Sequence, residues 1–214
     1  MNHQQSTQLI FVGPILKKPL NSTILKFYKL DSIPQIAVDG GIRFAIQPIV
    51  WLGDGDSGKI DSPLTIVHKD FQDLTDLNFA IQHVHSWEWQ TLHLFGFLGK
   101  RKDHEWANLG EVCQELKIRS PSTVAIFYDE ESRPRIHVFS PGSHSLKVNG
   151  LFSMLSFEKS TMILEGADFG LKNETLDAFS GRGISNRTNG IIQFQCTAPL
   201  IIILVDEGLE KGNS

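Results

Sequence analysis

From Leu9 to Asp129 one unit recurs: a short apolar run, a polar or glycine-bearing loop, then a stretch of helical periodicity. The runs read LIFVG, QIAVD, IVWLGD, LTIVHKD, TLHLFGF and TVAIFYD. Strands that are apolar without strict alternation are buried on both faces, as in a parallel sheet covered by helices. An open, mainly parallel α/β sheet is therefore predicted for residues 1–133. Leu77, Ala80, Ile81 and Val84 share one helical face after Thr75, a natural N-cap. Leu109, Val112, Cys113 and Leu116 mark a second amphipathic helix after Asp103, which ends before Ser120-Pro121.

The period changes after Arg133-Pro134. Short alternating runs (IHVF, SLKV, FSMLSF, TMILE, IIQFQC, LIIILV) are punctuated by Pro141-Gly142, Asn149-Gly150 and Asn189-Gly190, which read as turns. Residues 134–214 are expected to form a second, all-β domain of sandwich or barrel type.

Bulk properties narrow the partners. The 214 residues carry 20 basic and 24 acidic side chains, a net charge of -4, with both signs interspersed. Neither a nucleic-acid footprint nor a polybasic membrane anchor is expected. Cys113 and Cys196 lie in unrelated segments, without zinc-site or disulfide-framework spacing. The polar stretch Met1 to Gln8 and the short apolar run after it are far below signal-peptide or membrane-span length, so a cytoplasmic protein is expected.

Ligands of open α/β sheets bind beyond the carboxyl ends of the strands, and here those ends are acidic. Asp39 follows one run, Asp54 and Asp56 the next, and Asp70, Asp73 and Asp76 the next again. Clustered carboxylates repel by about 1–4 kcal/mol per pair and need a compensating cation. Magnesium suits them, since it prefers hard oxygen ligands and is commonly shared between one or two carboxylates and substrate phosphates. Gly53 to Lys59 matches a P-loop up to its last position, where Ile60 replaces the hydroxyl residue. Two carboxylates would face the phosphates there, so a metal loop is the better reading. Gly96 to His104 joins a strand end to a helix with two glycines and three successive cations, a combination suited to an anionic ligand such as the ATP phosphates. His83, His85 and His93 have no zinc-site spacing and read as helix-end and strand residues.

In order, these motifs resemble the thiamine pyrophosphokinase family. Ala37-Val38-Asp39-Gly40-Gly41 is similar to its Asp-Gly-Gly loop, and Gly53-Asp54-Gly55-Asp56-Ser57 to its Gly-Asp-x-Asp-Ser loop. Gln72-Asp73-Leu74-Thr75-Asp76 resembles its third acidic motif, and Gly96 to His104 with Asn108 its Gly-x-x-Gly-x-Arg-x-Asp-His motif. Gly170-Leu171-Lys172 and Gly183-Ile184-Ser185-Asn186 resemble signatures of its β-rich C-terminal domain.

The resemblance implies a homodimer with acceptor sites between subunits, and transfer of pyrophosphate from magnesium-ATP to the hydroxyl of thiamine. Asp54, Asp56, Asp73 and Asp76 would hold or orient magnesium, and Arg101 and Asp103 would face the phosphates and the reacting hydroxyl. Asp39, Gly40, Gly41, Ser57, Gln72, Thr75, Gly96, Gly99, His104 and Asn108 would line the nucleotide side, and Ser185 and Asn186 would contact thiamine. The chain departs from the family pattern at Phe71, where an acidic residue is frequent, at Arg187 in place of Glu, and at Asn173-Glu174 in place of an aromatic-proline pair. Two of these departures fall on the acceptor side. A pyrophosphokinase acting on a pterin or another hydroxymethyl heterocycle, and a non-catalytic nucleotide- or thiamine-binding regulator, are the competing readings.

Overall fold

A computed structural model describes residues 7–53, 65–69 and 73–205. Each apolar run of the first half forms a strand: β1 (Gln8–Val12), β2 (Gln35–Val38), β3 (Val50–Gly53), β4 (Thr65–His68), β5 (Thr91–Phe95) and β6 (Val124–Tyr128). All pair in parallel, in the order β6-β5-β1-β2-β3-β4. The connections carry helices α1 (Ser22–Phe27), α2 (Asp76–His83) and α3 (Lys102–Ile118).

β1 shows why its sequence lacks alternation. Leu9 and Phe11 join a core with Leu77, Ala80, Leu109 and Val112 from α2 and α3, while Ile10 and Val12 join a second core with Leu20 and Leu25 on the α1 side. Both faces are dry, so both sets must be apolar. α2 begins where its cap predicts: Thr75 Oγ1 accepts from the Asn78 N–H at 3.0 Å.

The second half is antiparallel: β7 (Pro134–Phe139), β8 (Gly142–Leu155), β9 (Ser160–Glu165), β10 (Leu171–Leu176), β11 (Asn186–Cys196) and β12 (Leu200–Leu204). It does not start a separate sheet. β7 pairs antiparallel with β6, and the described strands form one mixed sheet ordered β10-β9-β11-β8-β12-β7-β6-β5-β1-β2-β3-β4. The expected boundary at residue 134 thus falls where parallel pairing gives way to antiparallel within that sheet. Without β7 the hydrogen-bonding edge of β6 would be bare, an arrangement proteins cover or blunt. Val138 and Ile201 accordingly belong to the core beneath α2 and α3, while Phe139, Phe152, Met162 and Phe194 build a further core from the antiparallel strands alone.

Two expected turns are strand interior instead. Asn149-Gly150 lies within β8 and Asn189-Gly190 within β11, and Asn149 is directly opposite Asn189. Local turn chemistry yields here because an unbroken eleven-residue register between the strands supplies more pairing than a hairpin at either site could. β10, whose sequence LKNETL is mostly polar, had no apolar run to announce it.

One close approach fixes the sheet to the loop after β2. A Cβ added at Gly41 would lie 1.7 Å from the Val12 carbonyl oxygen, a backbone atom that cannot step aside. Gly41→Ala is expected to cost about 3 kcal/mol or more. A urea midpoint within error of the unsubstituted protein would show that this packing is not tight in solution.

Candidate active site

The parallel order reverses at β1, which has β2 on one side and β5 on the other. At such a reversal the connections leave in opposite directions and open a crevice at the carboxyl ends of the strands. A cleft of about 370 Å³ lies there, lined by Pro14 and Ile15 after β1, Val38 of β2, Lys69 after β4, the segment Asp73 to Leu77, Gly96 and Phe97 after β5, and His104 and Asn108 of α3. Asp73, Thr75, Asp76, Gly96, His104 and Asn108, expected separately from two motifs, therefore share one wall system. Asp39, Gly40 and Gly41 form the turn that follows Val38, with Asp39 in a left-handed conformation (φ 48°) and its carbonyl accepting from Trp51 Nε1 at 2.9 Å. Asp54, Asp56, Ser57 and Gln72 lie outside the described residues.

The β5–α3 loop needs backbone conformations that most residues avoid. Gly96 has φ 79° and approaches the Gly13 carbonyl so closely that a Cβ would sit 2.5 Å from its oxygen. Asn108 Nδ2 donates to the Phe97 carbonyl at 3.1 Å, so this buried amide ties α3 to the loop. The Gly99 N–H, in the loop read as suited to an anionic ligand, donates to a Glu105 carboxylate oxygen.

Arg101 and Asp103 stand at the N-terminus of α3, next to His104. Arg101 Nε donates to Asp103 Oδ1 at 3.1 Å, and a second guanidinium N–H reaches Oδ2. The pair is about two-thirds exposed on each side. The fork holds the Asp103 carboxyl at about 2, below the usual carboxylate range, and raises the Arg101 guanidinium. Each group is thus charged at neutral pH and satisfied by the other until a ligand competes.

Two residues of the cleft region had escaped notice. Lys69 Nζ donates to Asp76 Oδ1 at 2.9 Å and to the Leu74 carbonyl at 2.7 Å. Glu111 on α3 accepts from the Thr75 hydroxyl at 2.8 and 2.7 Å, and burial pushes its carboxyl up. Lys69 lay concealed as one polar letter at the end of a strand run, and Glu111 as one of several charges on a helix. Only the helical spacing of Glu111 from His104 and Asn108 could have pointed to it.

Ser185 and Asn186 are not among the residues lining this cleft. Asn186 is buried at the start of β11, where its side chain accepts from the Phe169 and Arg187 N–H groups at 3.1 and 2.9 Å and donates to the Phe169 carbonyl at 2.7 Å. Ser185 is exposed in a left-handed conformation (φ 61°), and its N–H donates to Ser153 Oγ at 3.1 Å. Arg187 follows on the opposite, exposed face of the strand. The three histidines scatter: His83 ends α2, His85 pairs with Glu115 at 3.2 Å, and His93 is buried in the sheet.

Among the described residues, no group of three or more His, Cys, Asp or Glu side chains is gathered closely enough to hold a metal unaided. Asp73 and Asp76 do offer hard carboxylate oxygens at the cleft, a donor set that fits a magnesium ion sharing its coordination with phosphate oxygens and water.

Together the reversal crevice, its acidic segment and the cationic loop opening α3 define an open α/β domain with a polar cleft at the carboxyl ends of its parallel strands. Residues 28–123 match the family model described as thiamin pyrophosphokinase, catalytic domain. The fold agrees along nearly the whole length. A thiamine pyrophosphokinase from Bacillus subtilis superposes with a TM-score of 0.74 at 21% identity, covering 93% of this chain and 99% of its own. One from Geobacillus thermodenitrificans gives 0.73 at 20% identity, covering 94% and 99%. One from Candida albicans gives 0.67 at 13% identity, covering 93% and 89%. No curated protein matches the sequence.

Proposed function

We propose that the protein is a thiamine pyrophosphokinase, transferring the terminal pyrophosphoryl group of magnesium-ATP to the hydroxyl of thiamine, with thiamine diphosphate and AMP as products. The observation that carries this reading is the cleft at the strand-order reversal. Its acidic segment (Asp73, Thr75, Asp76) faces the Gly96–Asn108 segment inside the stretch that matches the thiamin pyrophosphokinase catalytic-domain model.

Asp73 and Asp76 would hold magnesium, which when bound would neutralise charge developing on the phosphate oxygens. The chain's own residues do the rest. Arg101 turns from Asp103 to the polyphosphate, where its fork matches two phosphate oxygens. Asp103, released by that exchange, is ionised and can accept the proton of the attacking hydroxyl. The hydroxyl oxygen attacks the β-phosphorus in line, and the bond to the AMP oxygen breaks. Positioning and electrostatics supply most of the acceleration in such transfers.

The proposal includes a homodimer in the cytoplasm, with Ser185 and Asn186 serving an acceptor site completed by the partner subunit. Their absence from the lining of the cleft within one chain is consistent with that arrangement. No helix among the described residues is long and apolar enough to cross a membrane. Transfer to another hydroxymethyl heterocycle, such as a pterin, is the second reading. It is favoured by the engagement of the Asn186 amide with Phe169 backbone groups, which leaves it less to offer thiamine.

The decisive experiment incubates purified protein with magnesium-ATP and thiamine and separates AMP from ADP. Thiamine-dependent AMP with equimolar thiamine diphosphate is the expected result. AMP formed only with a pterin acceptor would support the second reading, and no AMP with any acceptor would overturn both.

A further inference from the structure

We infer that Lys69 is a phosphate-binding residue of the cleft, with its ammonium held in place by the acidic segment it crosses. This rests on the reading of the cleft as a nucleotide site. Lys69 follows β4 at the carboxyl edge of the parallel sheet, and its side chain is only 10% exposed. A lysine so enclosed loses the hydration of its charge and most of its rotamer freedom, so its position calls for partners. Two are present, Asp76 Oδ1 at 2.9 Å and the Leu74 carbonyl at 2.7 Å.

An ammonium has three N–H donors, and among the described residues the third has no partner. Lys69 also lines the cleft.

The charge balance of the cleft supports the assignment. Asp73 and Asp76 alone would repel a polyphosphate, and the guanidinium of Arg101 is exposed and engaged by Asp103. Among the described lining residues Lys69 is the one permanent cation. Its tethers fix the ammonium before any ligand arrives, so little entropy remains to be lost on binding. Lysine is also a customary point-charge partner of phosphate. A counter-ion to Asp76 alone would satisfy the first two bonds but would not require an enclosed position on the cleft wall.

Lys69→Met keeps the aliphatic stem and removes the charge. Titration of the full-length protein with magnesium and the non-hydrolysable analogue adenylyl imidodiphosphate should show affinity reduced about tenfold or more, the scale of a charged hydrogen bond. Lys69→Arg should recover most of that loss, and KM for thiamine at saturating nucleotide should not move. Analogue affinity of Lys69→Met within twofold of the unsubstituted protein overturns the inference, as does an equal rise in the nucleotide and thiamine constants, which would mark a merely structural role.

If Lys69→Met does not fold, the unsubstituted protein decides by amine acylation read by peptide mass spectrometry. Protection of Lys69 by the magnesium–analogue complex supports direct contact, and its absence overturns it. Failure of the unsubstituted protein to bind the analogue would overturn the nucleotide reading and this inference together. Analogue binding without thiamine turnover would leave Lys69 standing and remove only the acceptor assignment.

Discussion

Arg101→Ala is expected to lower kcat/KM for thiamine-dependent AMP formation by about 10²–10³-fold, the usual cost of removing one charged donor aimed at transition-state oxygens. The melting temperature should shift by no more than about 2 °C, because an exposed ion pair contributes little to stability. The structure separates the two effects. Arg101 is about two-thirds exposed, and its guanidinium hydrogen-bonds to Asp103, two residues away. Little of the fold hangs on it, and what it offers is a fork of donors at the mouth of α3. Arg101→Lys should recover only part of the rate, since lysine keeps the charge but not the bidentate geometry. Removing the guanidinium should also return the Asp103 carboxyl from about 2 toward the ordinary carboxylate range. A variant that keeps kcat/KM within threefold, with magnesium-ATP and thiamine both varied, would remove Arg101 from the reaction.

The protein is expected to lose stability steeply between about pH 6.5 and pH 4, through His93 and His137. Both are buried, and burial lowers each imidazole from its ordinary value to about 4. They lie in one row across the sheet, His93 opposite Ile126 and Ile126 opposite His137, so each charge would also oppose the other.

Neutral His93 is well served: Nε2–H donates to Gln8 Oε1 at 3.1 Å and Nδ1 accepts from the Tyr128 hydroxyl at 2.9 Å. A second ring proton would force the Tyr128 hydroxyl to turn and accept, so that its own proton loses this partner. Among the described residues, His137 Nδ1 is buried without a hydrogen-bond partner. Because the folded values lie below the unfolded value, stability is complete above about pH 6.5 and falls as protons bind the unfolded chain preferentially. Each histidine can remove about 3 kcal/mol, against a total stability of about 5–15 kcal/mol for a typical domain. His137→Leu removes one proton site and the unpartnered nitrogen together. Its urea midpoint at pH 7.5 should equal or exceed that of the unsubstituted protein, and its decline toward pH 4.5 should be roughly halved. An unchanged acid limb would assign the loss to other groups.

The first six strands and the two longer helices were legible because their signals are local. A run apolar on both faces, a Thr75 cap before a periodic stretch and a Ser-Pro stop each act within a few residues. The positions of the segment from Asp73 and of the glycine loop at Gly96 were legible for the same reason, since a helix start and a strand end place them at the sheet's carboxyl edge.

The second half was less legible. Asn149-Gly150 and Asn189-Gly190 carry turn chemistry, yet each is overruled by a strand distant in sequence. β10 has a polar sequence and takes its conformation from pairing with β9. Lys69, Glu111 and Asn186 belong to common residue types, and their roles come from what they face: Asp76, Thr75 and the Phe169 backbone.

By itself, then, the sequence determined the parallel α/β half, its helix limits and the loops from which a phosphate site would be built. Short-range capping, periodicity and chain stiffness suffice for those. Only the tertiary structure decided that β7 continues the same sheet from β6, that the strand order reverses at β1, and that an enclosed lysine crosses the acidic segment. These are contacts between residues far apart in the chain, whose free energy appears only when long-range pairing and burial outweigh the entropy of bringing them together.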